Sequence, residues 1–465
     1  MSDIRLRLTA QQHAALRDHL FPGDGKEAVA VALCGRTAAL GSEVLLVHKL
    51  ELIPHEACAR APDRVGWPPT LVEKFFHEAA AKNLGILKVH SHPAGYDRFS
   101  RTDDDSDRNL FESVYGWVDD DRPHASAFML PDGRMRARAV LLGGGFAPAR
   151  HVEVVGDDIL VWPSQDQAAV PAYAERHAQL FGAATTRLLG RLRIAVVGCS
   201  GTGSPVIEQL VRLGVGELVL VDPDHVEERN LNRILGATME DAHERRLKVD
   251  VLRRHIERIA LGTRVHTFPC SLADRTALRA VAASDLVIGC MDGLSGRHML
   301  SRVTRYYLLP YVDVGVKLEA LNNGTINQVA GAVHYFKPTG SDFLDRGVFS
   351  LEALEAEDLL RTSPEEYRER HARGYVRGVQ VDRPAVISVN MLFASLAVSE
   401  VLARLHPFRM DANEEFATTR MSLSHAQIEC ERDRLASPLV LQTVGRGDIE
   451  PPLEMPSLGA GEPGP

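Results

Sequence analysis

Two histidines and an aspartate have the types and spacing of a metal site, in the segment that begins His90-Ser91-His92-Pro93 and reaches Asp103. Side chains at i and i+2 of a strand point to the same side, so both imidazoles reach one ion. Asp103 returns to that ion if a loop and a helix start intervene, and Ser100 suits the N-cap of such a helix. Two histidines, one carboxylate and a place for water form a catalytic zinc site. The alternative is a histidine-rich surface loop beside an acidic helix start, which the combined spacing disfavours.

The spacing H-x-H, seven residues, S-x-x-D resembles the motif of the JAB/JAMM (MPN-domain) metalloproteases. The resemblance implies that His90, His92 and Asp103 bind zinc. It further implies that Ser100 helps to hold the oxyanion or the bound water. Members of that family cleave peptide or isopeptide bonds at the C-terminus of ubiquitin-like proteins.

The same resemblance implies a glutamate as general base at the start of a buried strand. Glu27, which precedes the apolar stretch 28–34, fits that place. A base must share the buried pocket with the metal-bound water, which favours Glu27. The competing carboxylates are Glu43, Glu51 and Glu56.

A second candidate site begins at the glycine-rich turn 198–203, which follows an apolar stretch and precedes a helical pattern. Glycines let the backbone approach phosphates at a helix N-terminus, and Asp222 after the next strand suits ribose hydroxyls. The dinucleotide fingerprint G-x-G-x-x-G is not matched in register, because Ser200 stands two residues after Gly198. A dehydrogenase is therefore the weaker interpretation.

The residues downstream of the turn suit a triphosphate. Asn230-Leu231-Asn232-Arg233, Lys248, and the pair Asp292 and Arg297 supply amides, cations and a carboxylate for Mg²⁺. A nucleoside triphosphate needs such a set, whereas a nicotinamide does not.

Over residues 174–335 the sequence resembles the ThiF/MoeB/HesA adenylating enzymes and the catalytic half of ubiquitin-activating enzymes. Their pattern is G-x-G-G-x-G, an aspartate after the second strand, N-x-N-R, a lysine, and D-x4-R; Ser200 replaces the second family glycine. The resemblance implies ATP as cofactor and a homodimer formed through this domain. In the family, a C-terminal glycine carboxylate attacks the α-phosphate of ATP and pyrophosphate leaves.

The resemblance also assigns roles residue by residue. It implies a phosphate turn at Gly198, Gly201 and Gly203, ribose binding by Asp222, phosphate binding by Asn230, Arg233 and Lys248, magnesium binding by Asp292, and an arginine, Arg176, that reaches the partner subunit's site.

Composition limits the class of protein. With 465 residues, 45% hydrophobic and 25% charged, the chain is expected to form two or three globular domains. A net charge of -9 argues against nucleic acid as a partner. The six cysteines are scattered and form no C-x-x-C pair, which predicts a reduced protein. The sequence shows no signal-peptide pattern and no apolar run long enough for a membrane span, so a cytoplasmic location is expected.

The pattern of elements predicts an α/β chain. A mixed α+β JAB domain is expected over 1–162, a polar linker over 163–173, and a Rossmann-like ThiF domain with a mostly parallel sheet over 174–410. A C-terminal extension over 411–465 should end in a flexible tail, because Pro, Gly and Glu are frequent there.

The leading hypothesis is a bifunctional enzyme that trims and adenylates a ubiquitin-like or sulfur-carrier protein with a C-terminal glycine, using Zn²⁺, ATP and Mg²⁺. The alternatives are adenylation of a small peptide or metabolite, and a catalytically silent scaffold that binds ubiquitin-like tails. No cysteine lies between residues 335 and 377, where the related enzymes often carry one that forms a thioester, and Cys430 lies in a charged segment. An acyl adenylate, without a thioester on the enzyme, is therefore the expected product.

Overall fold

A computed structural model describes residues 3–118, 120–164, 169–321, 325–372, 384–434, 436 and 438–459. The chain forms two compact units. Unit 1 comprises residues 1–167, 306–308 and 443–465, and unit 2 comprises residues 168–305 and 309–442.

Unit 1 alternates strands and helices, with strands predominating. Its strands are β1 (Asp3–Thr9), β2 (Val29–Ala39), β3 (Ser42–Leu52), β4 (Ala59–Ala61), β5 (Arg64–Gly66), β6 (Gly85–Ser91), β7 (His124–Met129), β8 (Met135–Val140), β9 (Phe146–Pro148), β10 (His151–Val155) and β11 (Ile159–Pro163). Its helices are α1 (Ala10–Leu20), α2 (Glu73–Lys82) and α3 (Arg101–Trp117).

Within the described part of unit 1, one sheet has the order β11-β10-β1-β3-β2-β6-β7-β8-β9, and β4 and β5 form a separate hairpin. The central strand β2 is buried from Val29 to Thr37, since its Val-Ala-Val-Ala-Leu run has apolar side chains on both faces. One core cluster lies on the side of α1, and the other includes Phe75 and Phe76 of α2 and Phe111 of α3. The strand β6 therefore lies in a sheet whose two faces are both covered by apolar side chains.

The end of the chain belongs to unit 1. The backbone N–H of Gly35 donates to Gly445 O at 3.2 Å, and Asp448 N donates to Arg36 O at 2.8 Å. Gly445 and Gly447 have φ of +72° and +68°, and a Cβ on either would lie about 2.5 Å from backbone oxygen or nitrogen of β2 or β3. The expected extension over 411–465 is thus divided between the units, and its last residues, 460–465, lie outside the described part.

Unit 2 has the strand–helix alternation that predicts a parallel sheet. Its strands are β12 (Arg193–Val197), β13 (Glu217–Val221), β14 (Arg264–Phe268), β15 (Leu286–Gly289), β16 (Tyr311–Ala320), β17 (Ile326–Phe336), β18 (Thr418–Ser422) and β19 (Gln427–Glu431). Its helices are α4 (Glu175–Leu189, interrupted at Gly182), α5 (Gly203–Arg212), α6 (Met239–His243), α7 (Lys248–Ile259), α8 (Arg275–Ala282), α9 (Leu294–Tyr306), α10 (Leu351–Thr362), α11 (Pro364–Ala372), α12 (Ile387–Leu405) and α13 (Pro438–Leu441).

The sheet of unit 2 has the order β14-β13-β12-β15-β16-β17-β18-β19 in the described residues. The strands from β14 to β16 pair in parallel, and β17 to β19 add an antiparallel extension. From β12 the next strands along the chain, β13 and β14, are added on one side, and β15 and β16 are added on the other side. Ligands of open α/β sheets bind at the point where the strand order reverses in this way. The predicted α/β class with a Rossmann-like, mostly parallel second sheet is confirmed.

Helix α12 is, among the described helices, the one with the length and apolar composition of a membrane span. About 56% of its most apolar window is buried inside the structure. It packs against α5, β16 and β17, as the core helix of a globular domain does.

Candidate active sites

The end of β6 and the start of α3 bring three metal-ligating side chains together. His90 Nε2 lies 3.0 Å from His92 Nε2 and 3.0 Å from Asp103 Oδ1, and His92 Nε2 lies 3.5 Å from Asp103 Oδ2. All three residues are buried. The sequence-predicted ligand set is therefore assembled in space.

The donor atoms fit a zinc ion. Tetrahedral zinc with bonds of about 2.0–2.1 Å separates its ligand atoms by about 3.3–3.4 Å, close to the separations found. His92 Nδ1 lies 2.6 Å from Tyr96 O, and donation to that carbonyl leaves Nε2 as the ligand atom. The ring of His92 also stacks on Phe128, with ring centres 4.2 Å apart. These contacts fix the orientation of one ligand before any ion binds.

Glu27 lies beside the three ligands. The antiparallel pairing of β2 with β6 ends at Val29 opposite His90, and two further residues on each strand bring Glu27 opposite His92. Arg60 Nε donates to Glu27 O at 2.8 Å, and Glu27 N donates to Ala61 O, so the hairpin of β4 and β5 holds its backbone. Burial raises the pKa of the Glu27 carboxyl to about 7, against the opposing charge of His92. A carboxylate with that pKa suits a general base near neutral pH.

Ser100 is the N-cap of α3, as its position in the sequence predicts. Its Oγ accepts from Asp103 N at 3.2 Å, and its own N–H donates to Asp103 Oδ2 at 2.6 Å. Burial alone would raise the pKa of Asp103, but His90 and His92 hold it well below its usual range. Asp103 is thus the anionic member of the site.

In unit 2, the turn 198–203 borders a cavity of about 470 Å³. Gly198 has φ of +92°, and a Cβ on Gly203 would lie 1.9 Å from Gly198 O, so the turn closes tightly. Arg233 and Asp292 line the cavity with Ser200, Gly201 and Thr202. The helix α5 begins at Gly203 with its N-terminus at the turn, the arrangement that binds phosphates.

Three further predicted residues are buried: Asp222, Lys248 and Asn230. Asp222 accepts from Cys199 N at 2.7 Å and lies 3.9 Å from Lys248 Nζ, which pairs with Asp224 at 2.7 Å. Burial raises the pKa of Asp222, against the charge of Lys248. Asn230 Oδ1 caps a short turn by accepting from Glu227 N at 3.1 Å. Asp222 thus holds the backbone of the turn at Cys199, and none of the three side chains is among the residues that line the cavity.

The two remaining predicted residues are exposed. Asp292 lies at the cavity, after β15. Arg176 lies in the first turn of α4 and is not among the cavity-lining residues. Its predicted role in a partner's site stays a prediction.

Comparison with known proteins agrees with this division of the chain. Residues 173–438 match the ThiF family, and residues 9–131 match the prokaryotic homologs of the JAB domain. The chain belongs to the ThiF family. Its amino-terminal part carries a JAB domain, so the predicted fusion is confirmed.

Individual relatives match parts of the chain. The adenylyltransferase and sulfurtransferase UBA4 of Meyerozyma guilliermondii is 33% identical over 135 residues, which cover 29% of this chain and 31% of the relative. The sulfur carrier protein adenylyltransferase of Thermus thermophilus is 34% identical over 113 residues, covering 24% and 41%. The chain therefore spans less than half the length of these relatives. The structure of E. coli MccB with ATP shares 18% identity and a TM-score of 0.42, over 60% of this chain and 75% of MccB.

Among the polar residues at the cavity that sequence reasoning missed are Asn390 of α12 and Glu357 of α10. A Cβ on Gly201 would lie 2.4 Å from Asn390 Nδ2, so this buried amide faces the glycine turn. Glu357 accepts from Ser295 N at 2.8 Å, at the start of α9. No local motif connects either residue with the turn, because each lies more than 150 residues further along the chain.

Arg297, the last residue of the D-x4-R pattern, also lines this cavity. Its Nε donates to Asp313 Oδ1 at 3.0 Å, and Tyr311 donates to the same oxygen at 2.7 Å. Burial alone would lower the pKa of Arg297, but the paired Asp313 raises it above its usual value. A permanently charged guanidinium therefore forms part of the cavity wall.

Proposed function

We propose that the chain is a bifunctional enzyme that processes and activates a ubiquitin-like or sulfur-carrier protein with a C-terminal glycine. The JAB domain would cleave a peptide or isopeptide bond at that C-terminus, and the ThiF domain would adenylate the glycine carboxylate. One observation carries the proposal. A cavity joins the glycine turn to Arg233 and Asp292, inside the region that matches the ThiF family. The name of the Thermus relative supports a sulfur carrier protein as substrate.

In the JAB domain, His90, His92 and Asp103 would hold zinc, which supplies a Lewis acid that lowers the pKa of a bound water. Glu27 would accept a proton from the water as its oxygen adds to the carbonyl carbon, and would pass that proton to the amine nitrogen as the C–N bond breaks. Its burial supports this role, because the carboxylate is poorly solvated and its pKa is near 7. Ser100 would polarise the carbonyl or the water from the start of α3.

Zinc content tests the metal site. Purified protein should contain one zinc per chain, and His92→Ala should lose it. A matched control is His77→Ala, which removes a histidine of α2 whose ring packs against Trp117. Equal zinc in His92→Ala and the unaltered protein would overturn the assignment.

In the ThiF domain, an oxygen of the glycine carboxylate attacks the α-phosphorus of ATP, and the bond to pyrophosphate breaks. Arg233 provides positive charge where negative charge develops on the phosphates, and Asp292 would hold Mg²⁺. Asp222 and Lys248 would act on the ribose and the phosphates, respectively. Asp222 also accepts from Cys199 N of the turn, and Lys248 lies 3.9 Å from Asp222.

ATP–pyrophosphate exchange tests this half. Exchange should require Mg²⁺ and a protein or peptide that ends in glycine. Arg233→Ala and Asp292→Asn should lower the rate more than they weaken ATP binding, because both act on charge that develops during the reaction. Exchange driven only by a short peptide would favour the small-peptide alternative, and no exchange at all would favour a silent scaffold. Binding of NAD in place of ATP would return the dehydrogenase hypothesis.

We also propose a homodimer formed through the ThiF domain. The exposed position of Arg176 at the start of α4 leaves it accessible to a second copy of the chain. Sedimentation of the purified protein should give twice the chain mass, and a monomer would contradict the dimer.

A further inference from the structure

A buried group of charged side chains lies next to the proposed zinc site without belonging to it. Lys88 Nζ pairs with Asp107 Oδ1 at 2.7 Å, and an Arg138 nitrogen pairs with Asp107 Oδ2 at 2.7 Å. The side chains of Lys88, Asp107 and Arg138 are 4%, 0% and 7% exposed. Charges withdrawn from water to this degree are stable only when they are well paired, so the group is a fixed part of the domain.

The pair Lys88 and Asp107 repeats the pair His90 and Asp103 one step along the same strand and helix. Lys88 lies two residues before His90 on β6, so both side chains point to the same face of the strand. Asp107 lies four residues after Asp103 on α3, on the same face of the helix. Two residues of strand advance about 6.7 Å and four residues of helix about 6 Å, so the two steps match. His90 with Asp103 at 3.0 Å and Lys88 with Asp107 at 2.7 Å are therefore two parallel cross-links between one strand and one helix.

Arg138 adds a third attachment from another strand. It lies on β8, and its guanidinium reaches both Asp107 and Asp104 of α3. The guanidinium also covers the rings of Phe99 and Phe146, with centres 3.9 and 3.7 Å away. Because cations from two strands occupy both oxygens of Asp107, the helix is restrained in axial position and in rotation.

Apolar packing at this end of α3 is limited: the ring of Phe99 lies 4.8 Å from that of Phe128. The buried residues of α3 are Asp103, Asp107, Phe111 and Val114, so the apolar anchors lie in the second half of the helix. The loop 93–99 that connects His92 to the helix is largely exposed. Besides the Ser100 cap and the histidines that Asp103 itself contacts, the charged group one turn away is what ties this end of α3 to the sheet.

We propose that Lys88, Asp107 and Arg138 are positioning residues that hold Asp103 at the distance a zinc ion requires. Loss of the group would let the first two turns of α3 move away from β6 while the sheet and the two histidines remain in place. This inference rests on the proposed zinc site.

Zinc affinity tests the proposal, measured by competition with a chromophoric chelator on the full-length chain. Asp107→Asn should weaken zinc binding at least tenfold, in line with the about 10–100-fold effects of groups that orient metal ligands. Arg138→Lys keeps the charge and loses the forked contact, so it should weaken binding by a smaller factor.

The matched control is Glu153→Gln, which breaks an equally buried pair with Arg7 in the same domain, at 2.6 Å. It should lower the unfolding temperature comparably and leave zinc affinity unchanged within about twofold. Unchanged affinity in Asp107→Asn, or an equal loss in Glu153→Gln, would overturn the positioning role. If Asp107→Asn does not fold, Arg138→Lys with the same control decides between these outcomes. Failure of the unaltered chain to bind zinc would instead overturn the zinc site, and this inference with it.

Discussion

Glu27 differs from the other candidate bases in its surroundings. It is buried opposite His92, whereas the competitor Glu56 is exposed and Glu43, although buried, lies near Arg36 and Arg122. Glu27→Gln keeps the shape of the side chain and removes the base, so peptide cleavage should fall by about 10²–10⁴ while zinc stays bound. Steady-state cleavage and zinc content of the same sample measure both effects. Glu56→Gln is the control, and a large loss of cleavage there would transfer the role to Glu56.

At Gly201 the side chains of Asn390 and Arg233 occupy the space that a Cβ would need. A Cβ would lie 2.4 Å from Asn390 Nδ2 and 3.0 Å from Arg233 Cδ. Both neighbours are side-chain atoms that can move, so Gly201→Ala should fold but displace two cavity-lining groups and weaken ATP binding. Calorimetric titration with ATP measures this. The control Gly116→Ala, on α3 with no atom within 4 Å of the added Cβ, should bind ATP normally. Equal affinities in the two variants would contradict the role of the cavity.

At the level of elements, the strand β6, which carries His90, contains a backbone hydrogen bond to a neutral histidine. Ile86 N of β6 donates to Nδ1 of His124, at the start of β7, at 2.9 Å. Burial and the nearby Arg36 lower the pKa of His124 to about 3, from an ordinary value of 6.5. In the unfolded chain His124 binds a proton below pH 6.5, whereas in the folded chain it stays neutral down to about pH 3. The free energy of unfolding therefore decreases as the pH falls through this window.

The expected slope from this one group is at most about 1.4 kcal/mol per pH unit. His124→Asn keeps an acceptor near the position of Nδ1 and removes the titration, so its free energy of unfolding should fall less steeply below pH 6.5. Urea unfolding of both proteins between pH 4 and 7 compares the slopes. Parallel curves would show that His124 does not control this pH dependence.

Most elements around the candidate sites are predictable from local patterns, and those that are not depend on distant partners. The apolar runs predict the core of β2 and β6, and Ser100 predicts the start of α3. In the strand β1, Arg5 and Arg7 alternate with apolar residues, a pattern typical of a half-exposed strand, so it does not indicate that both arginines are buried. In the fold Arg7 is buried against Glu153, 146 residues away. Likewise, nothing near Asn390 in the sequence indicates the glycine turn that it faces.

The glycine-rich end of the chain illustrates the same limit. Its composition is typical of a loose tail, yet Gly445 and Gly447 occupy left-handed conformations against β2 and β3. Glycine is required there because the backbones approach too closely for any side chain. Composition alone does not distinguish a flexible glycine from one that permits such packing.

At the scale of the whole molecule, the inventory of cysteines argues against a covalent thioester. Burial raises the pKa of Cys34 to about 12 and also raises those of Cys199 and Cys290 well above the usual value. A thiolate at these positions is rare at neutral pH. Cys430 is exposed on β19, and it is not among the residues that line the cavity. A non-reducing gel should show no band shift with ATP and substrate, and a shift lost in Cys430→Ala would make the protein a conjugating enzyme.

Each proposed site is built from residues of one unit. The proposed zinc ligands and Glu27 belong to unit 1, and the residues that line the cavity belong to unit 2. Because no residue is shared, a change in one site should leave the other reaction intact. His92→Ala should therefore abolish cleavage and retain ATP–pyrophosphate exchange, and Arg233→Ala should do the reverse.

The test uses a substrate that already ends in glycine for exchange and one with residues beyond that glycine for cleavage, so that neither assay depends on the other reaction. Both variants are measured in both assays on the full-length chain. Loss of exchange in a folded His92→Ala protein would show that the two sites are coupled. With the longer substrate and ATP, the unaltered enzyme should form the adenylate only after cleavage, because the carboxylate that attacks the α-phosphorus is exposed by that step. His92→Ala should then fail to form the adenylate from the longer substrate and form it normally from the trimmed one. Adenylate formed on the untrimmed substrate by His92→Ala would contradict this order of the two reactions.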